Sequence, residues 1–111
     1  MSEKGFPAFI ESLPEAAVAF PGVKSRLMQG VAHQAVFFEL EKGIVIPPHS
    51  HCAQWGVVVS GCIEITIAGV KRVCGPGDEY NVPDGAVHEV TVLEDAVAID
   101  FFDDPARYRV K

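Results

Sequence analysis

From Gln34 onward the chain is a succession of short runs rich in β-branched and aromatic residues, each closed by Gly, Pro or Asp. Runs of that length, punctuated that often, fit antiparallel strands joined by tight turns and leave little room for helix. They predict strands at roughly 34–41, 43–51, 54–60, 62–67, 70–74, 78–82, 86–93 and 96–102. Ile63, Ile65 and Ile67 alternate with Glu64 and Thr66, which gives that strand one apolar face and one wetter face. Ser60-Gly61, Ala68-Gly69, Gly75-Pro76-Gly77 and Asp84-Gly85 mark tight connections, because glycine supplies the positive φ that such turns require. About eight short strands in one small chain imply an all-β sandwich or barrel. Helix is expected only as a turn or two at roughly 11–17 and 104–108. The sequence shows no internal repeat and no low-complexity tract.

The first thirty residues have a different texture. Phe6, Phe9, Ile10, Leu13, Val18, Phe20, Val23 and Leu27 are broken up by Pro7, Pro14 and Pro21. Proline at that density prevents long helices and favours extended structure. The expected organisation is an arm over residues 1–30 and one barrel domain over 31–111. The arm either covers its own barrel or crosses onto a second subunit. A chain of 111 residues holds one hydrophobic core.

Composition excludes several partners. With 49% hydrophobic and 22% charged residues, the chain has the make-up of a folded globular domain. Its net charge is −6 and its basic residues are scattered, whereas nucleic-acid binding needs a clustered positive face; no nucleic acid is expected. Apolar runs such as Ile44 to Pro48 and Val57 to Val59 fall far short of the roughly 20 residues that span a bilayer, so no membrane segment is expected. The start, Ser2-Glu3-Lys4, lacks a basic stretch followed by an apolar block, and a cytoplasmic location follows as the expectation. Cys52, Cys62 and Cys74 are odd in number, which favours reduced thiols over a disulfide framework.

Histidine carries the chemistry. His49 and His51 are two residues apart, and alternate residues of a strand share a face, so both imidazoles point the same way. On its own such a pair is either a ligand pair or two hydrogen-bonded surface histidines. Gln54, three beyond His51, has the wrong parity for one unbroken strand, and joins them only if a turn intervenes. His88 follows a Pro83-Asp84-Gly85 turn. His33 reads as an exposed or edge-strand residue, and Cys52, opposite in parity to His51, as a small buried hydrophobe. Trp55 and Tyr80 either line a pocket or fill the core. Glu39, Glu64 and Asp100 lie on predicted strands without an assignable face, so no general base is identified. There is no phosphate-cradling glycine loop, no Gly-x-Ser-x-Gly elbow and no Cys-x-x-Cys pair.

Two segments together resemble the paired motifs of the cupin superfamily. Gly43, His49, His51 and Gly61 fit the first motif, and Gly77, Pro83, Gly85 and His88 fit the second. The resemblance implies a cupin-type double-stranded β-helix, a jelly-roll barrel holding a divalent metal through His49, His51, a glutamate-equivalent and His88. Six residues separate Gln54 from Gly61, as they separate the family glutamate from its glycine, but only two residues separate it from His51; it is the candidate fourth ligand. The family's terminal asparagine position falls on Val92, which suggests an apolar wall there. Three imidazoles and an amide oxygen are neutral donors, so the metal's charge would favour an anionic small-molecule ligand. Fe, Mn, Ni, Zn and Cu all suit an imidazole-rich set. Small one-domain members of the family imply a homodimer. Two functions stay open: a metal-dependent enzyme of oxygenase or isomerase type acting on an oxygen-bearing molecule, and a non-catalytic binding or sensing module.

Overall fold

The computed structural model describes residues 5–111; the first four residues of the predicted arm lie outside it. The elements are α1 (Ala8–Glu11), β1 (Val23–Gln29), β2 (Gln34–Leu40), β3 (Val45–His49), β4 (Gln54–Ile67), β5 (Val70–Cys74), β6 (Glu79–Val82) and β7 (His88–Phe102). Two of these strands, β4 and β7, are long enough to serve two sheets. Residues 54–58 of β4 pair with β6 on one side and with the 98–102 half of β7 on the other. Residues 63–67 of β4 pair instead with β5 and with the 88–92 half of β7. β2 and then β1 extend the first sheet from β7, and β3 extends the second. The result is a jelly-roll sandwich, all of its strand pairs antiparallel.

The strand count is seven rather than eight, and the difference has a physical cause. The segments read as 54–60 and 62–67 are one strand, as are 86–93 and 96–102. Ser60-Gly61 is a bulge inside β4, where the register with β7 shifts between Val58 and Ile63, and not a tight connection. Gly61 has φ 82°, and a Cβ there would run into the carbonyl oxygen of Asp95 and the backbone of Ala96. Bulges bend a strand and sharpen its twist, which lets one strand pass from sheet to sheet. β1 lies inside the segment read as arm: Ser25 and Leu27 are buried on its inner face, and the polar Ser25 disguised the alternation. The Ser25 hydroxyl is satisfied by donating to the Ala16 carbonyl at 3.2 Å. Helix forms at Ala8–Glu11, earlier than the 11–17 window, and residues 104–108 make turns only.

The rest of the arm lies along its own barrel. Ala17 N–H donates to the Arg109 carbonyl and Lys111 N–H to the Glu15 carbonyl, both at 2.8 Å. Ala16 is buried in the core and Val18 packs against it, while Phe6 meets the ring of Phe37 edge-on at 5.4 Å. Phe9 remains 76% exposed. Val36, Phe38, Leu40, Val58, Ile63 and Val92 from both sheets fill the centre. All three cysteines are free thiols. Among the described residues, no helix is long and apolar enough to cross a membrane.

Gly61→Ala adds both a disallowed φ and a backbone clash, so it should destabilise the fold by about 3 kcal/mol, a melting temperature lower by about 10–20 °C. Thermal unfolding followed by circular dichroism checks this, and a change under about 3 °C contradicts the role given to the bulge.

Candidate metal centre

The three motif histidines converge because of strand register. β3 is an edge strand, which tolerates Pro47 and Pro48 with their missing N–H groups, and its pairing with β7 shifts there so that His49 lies directly opposite His88. His51 follows in a loop pinned to the second motif, where Gly85 N–H donates to the His51 carbonyl at 2.9 Å. The ring centroids stand 4.1 Å apart for His49 and His88, 4.7 Å for His51 and His88, and 5.2 Å for His49 and His51. One nitrogen from each ring lies within 4.8 Å of the others.

All three rings are oriented by the same device. Nδ1 of His49 faces the Pro47 carbonyl at 2.9 Å, Nδ1 of His51 the Cys52 carbonyl at 2.8 Å, and Nδ1 of His88 the Ala86 carbonyl at 2.9 Å. A carbonyl only accepts, so each Nδ1 carries the proton and each Nε2 is left as a lone-pair donor. Nε2 of His51 and Nε2 of His88 are 3.1 Å apart, close to the roughly 3.3 Å expected for two imidazoles on one tetrahedral ion with bonds near 2.0–2.1 Å. Burial pushes the His51 pKa down to about 4, with smaller contributions in the same direction from Arg107 and the other two rings against the opposing Cys52 carbonyl. Burial also lowers His88. Neutral imidazole is the ligating form, and this donor set fits a divalent transition metal.

Gln54, the first residue of β4, is 9% exposed and lines the same cavity as the three rings. Its amide lies close enough to the Asp100 carboxylate to favour the charged form of that acid. Tyr80 lines this cavity too. Trp55, one residue along β4, points to the other face: it is 40% exposed and its indole N–H donates to Glu79 at 3.1 Å. Trp55 therefore takes neither of the two places expected for it, the pocket wall or the core. Val92 is packed in the core, and the apolar wall suggested there is made by Val90 instead. His33 sits outside the site, within 3.3 Å of Asp103 and stacked on Phe101. Cys52 is half-buried with its Sγ 4.0 Å from His51 Nδ1, and burial raises its thiol pKa.

Arg107 is the residue that sequence reasoning missed, and Asp100 is one it named without assigning a face; both line the cavity. Asp100 shares the inward parity of Ala98 and Phe102, a single acid in an apolar run, and that parity was the available clue. It is 8% exposed, and accepts a hydrogen bond from the Tyr80 hydroxyl at 2.6 Å. Burial raises its pKa to about 6 against the opposing bonds from Tyr80 and Gln54. Gly56 lies between Tyr80 and Asp100 in the register of three adjacent strands, and a Cβ there would strike both side chains; the missing side chain is what lets them meet. Arg107 lines the cavity, stacks over Tyr108 at 4.2 Å, and leaves a buried Nε without a partner. No adjacent residue distinguishes it in the sequence from a surface arginine.

A family model described as the cupin domain matches residues 36–102. The chain belongs to the cupin family. Among solved structures, this cupin is similar to KdgF from Halomonas sp., with 32% identity, a TM-score of 0.74, and coverage of 83% of this chain and 86% of that one. It is also similar to an RmlC-like cupin from Shewanella frigidimarina NCIMB 400, with 28% identity, a TM-score of 0.75, and coverage of 85% and 86%. Oxalate decarboxylase of Bacillus subtilis shares the fold at 23% identity and a TM-score of 0.73, the match covering 87% of this chain and 29% of that one. No curated protein sequence matches this cupin.

Adding Zn²⁺ to metal-stripped protein should raise the melting temperature, since an ion that binds only the native state stabilises it by about 2.7 kcal/mol at a hundred times its Kd. His51→Ala and His88→Ala should each abolish the rise, and Gln54→Leu should reduce it while leaving it measurable. Differential scanning calorimetry with and without the ion tests all three; an unchanged rise in His88→Ala removes that ring from the ligand set.

Proposed function

We propose that this cupin is a metal-dependent enzyme of the isomerase type, moving a proton on a small, anionic, oxygen-bearing molecule. The observation that carries the reading is the placement of a buried carboxyl, Asp100, in the cavity that also receives the three imidazoles and Gln54. His49, His51, His88 and Gln54 would hold the metal, which when bound would polarise an oxygen of the ligand. The Tyr80 hydroxyl holds one oxygen of Asp100, which leaves the other free to meet a ligand. Asp100 then takes the proton from the carbon next to the polarised group as that C–H bond breaks, and returns it to a neighbouring atom. No electron is gained or lost in that exchange. Arg107 supports recognition of the anion, because its guanidinium has no carboxylate within ion-pair distance among the described residues and its Nε is unpaired. The same reading includes a homodimer, supported by Trp55, Val59 and Phe101 left exposed on one outer sheet face, and testable by light scattering.

The test is proton exchange. Zn²⁺-loaded protein with pyruvate in D₂O, followed by NMR, should replace the methyl protons faster than the free ion does. Asp100→Asn keeps the shape but cannot take a proton; it should slow exchange by about 100-fold or more while the metal-induced rise in melting temperature persists. Pyruvate that binds the loaded protein without enzyme-dependent exchange makes this a binding module and overturns the catalytic reading.

A further inference from the structure

The register of the strands sorts the cavity lining by depth. At one end lie Gln54 and His88, then Asp100 and Tyr80, which flank Gly56 one inward step along β4. The next inward positions along the same strands are Ala98 on β7 beside Phe38 on β2, then Leu40; in the second sheet Val90 lies between Ile65 and Ile46. All of these line the cavity. Every polar side chain of the lining, Arg107 and Tyr108 included, is either in the first two layers or on the C-terminal segment beyond Phe102, which meets the Tyr108 ring at 5.5 Å. Below them no side chain offers a hydrogen-bond donor or acceptor. The arm adds to the same apolar end, with Val18 and Phe20 in the wall. The cavity measures about 350 Å³, the lower end of the range for small-molecule sites.

We infer that the ligand is amphipathic: an oxygen-bearing anionic head at the metal and Arg107, joined to an aromatic or branched-alkyl body that fills the layers below, not a polyhydroxylated one. This rests on the proposed function for the head and on the lining alone for the body. A hydroxylated body would place its hydroxyls against Phe38, Ile46, Ile65 and Val90, where they forfeit their bonds to water and find no partner. An apolar body of similar size gains from leaving water at the same positions. The preference is therefore set by what the lower walls lack.

Two 2-hydroxycarboxylates of nearly equal size separate the cases, since 3-phenyllactate and gluconate carry the same head on opposite bodies. With Zn²⁺-loaded protein in isothermal titration calorimetry, phenyllactate should bind at least tenfold tighter than gluconate, with lactate between or weaker. Val90→Thr, which keeps the shape but adds a hydroxyl, should weaken phenyllactate several-fold and leave lactate unchanged. Gluconate binding as tightly as phenyllactate, or Val90→Thr leaving phenyllactate untouched, overturns the inference. Phenyllactate preferred equally in Arg107→Met and in metal-stripped protein sustains the apolar body and overturns the anionic head, so the two readings fail separately. Binding of none of the three acids overturns both.

Discussion

The pairing of β4 with β7 is the constraint from which the rest of the structure follows. Both strands bend, and each half finds a different set of neighbours, so a single antiparallel ladder holds two facing sheets together. The bend needs Gly61, where the strand crosses the backbone of Asp95 and Ala96 too closely for any Cβ. Once the two strands are in register, the residues at their ends are no longer free to choose a position. Ile67 opposite His88 and Gln54 opposite Phe102 set the mouth of the barrel, and β3 joining at His88 brings His49 to it. The site is a consequence of the ladder.

That mouth buries groups that are costly to bury. Three imidazoles facing one another, a carboxyl and a guanidinium lose water there, and few protein partners replace it. The backbone absorbs part of the cost, since a carbonyl receives each Nδ1–H. The Tyr80 hydroxyl does the same for Asp100. What stays unmatched is specific: the Nε of Arg107 has no partner, and the Nε2 atoms of His51 and His88, each with its lone pair, face one another at 3.1 Å. Unmatched donors and acceptors in a cavity are the groups that a ligand can complete, one a cation among the lone pairs, the other an anion at the guanidinium.

Much of this was legible in the residues, and what was not has physical reasons. The strand pattern, the Gly43–His49–His51–Gly61 and Gly77–Pro83–Gly85–His88 spacings and the position of Gln54 are local regularities that survive in a linear string. The bulge at Ser60-Gly61 is not, because glycine marks a turn and a bulge alike and only the neighbour across the ladder distinguishes them. β1 was hidden by Ser25, whose hydroxyl is satisfied by a carbonyl nine residues earlier. Trp55 was misread because pocket lining is a matter of face, and the face depended on where β4 begins after the loop at Cys52-Ala53. Arg107 reaches the cavity from beyond β7, through stacking on Phe102 and Tyr108, a long-range contact with no local signature.

The charge balance of the site gives Gln54 a reason to be an amide. A carboxylate in its place would face Asp100 in the same buried cavity, and two neighbouring carboxylates there would oppose each other's ionisation. An amide carries both a donor and an acceptor, so it can serve a carboxylate and a cation without adding charge. With three neutral rings, a bound divalent cation would keep most of its charge, offset at most by Asp100 and reinforced by Arg107. The chain as a whole is acidic, at −6, but repulsion from exposed acids fades beyond about 8 Å at physiological salt, whereas the buried pole acts at contact and is screened far less. On the proposed reading, a metal-loaded cavity positive at its head and apolar at its base would discriminate at short range, admitting an anion only when its body also fits the layers of Phe38, Ile65 and Val90 beneath.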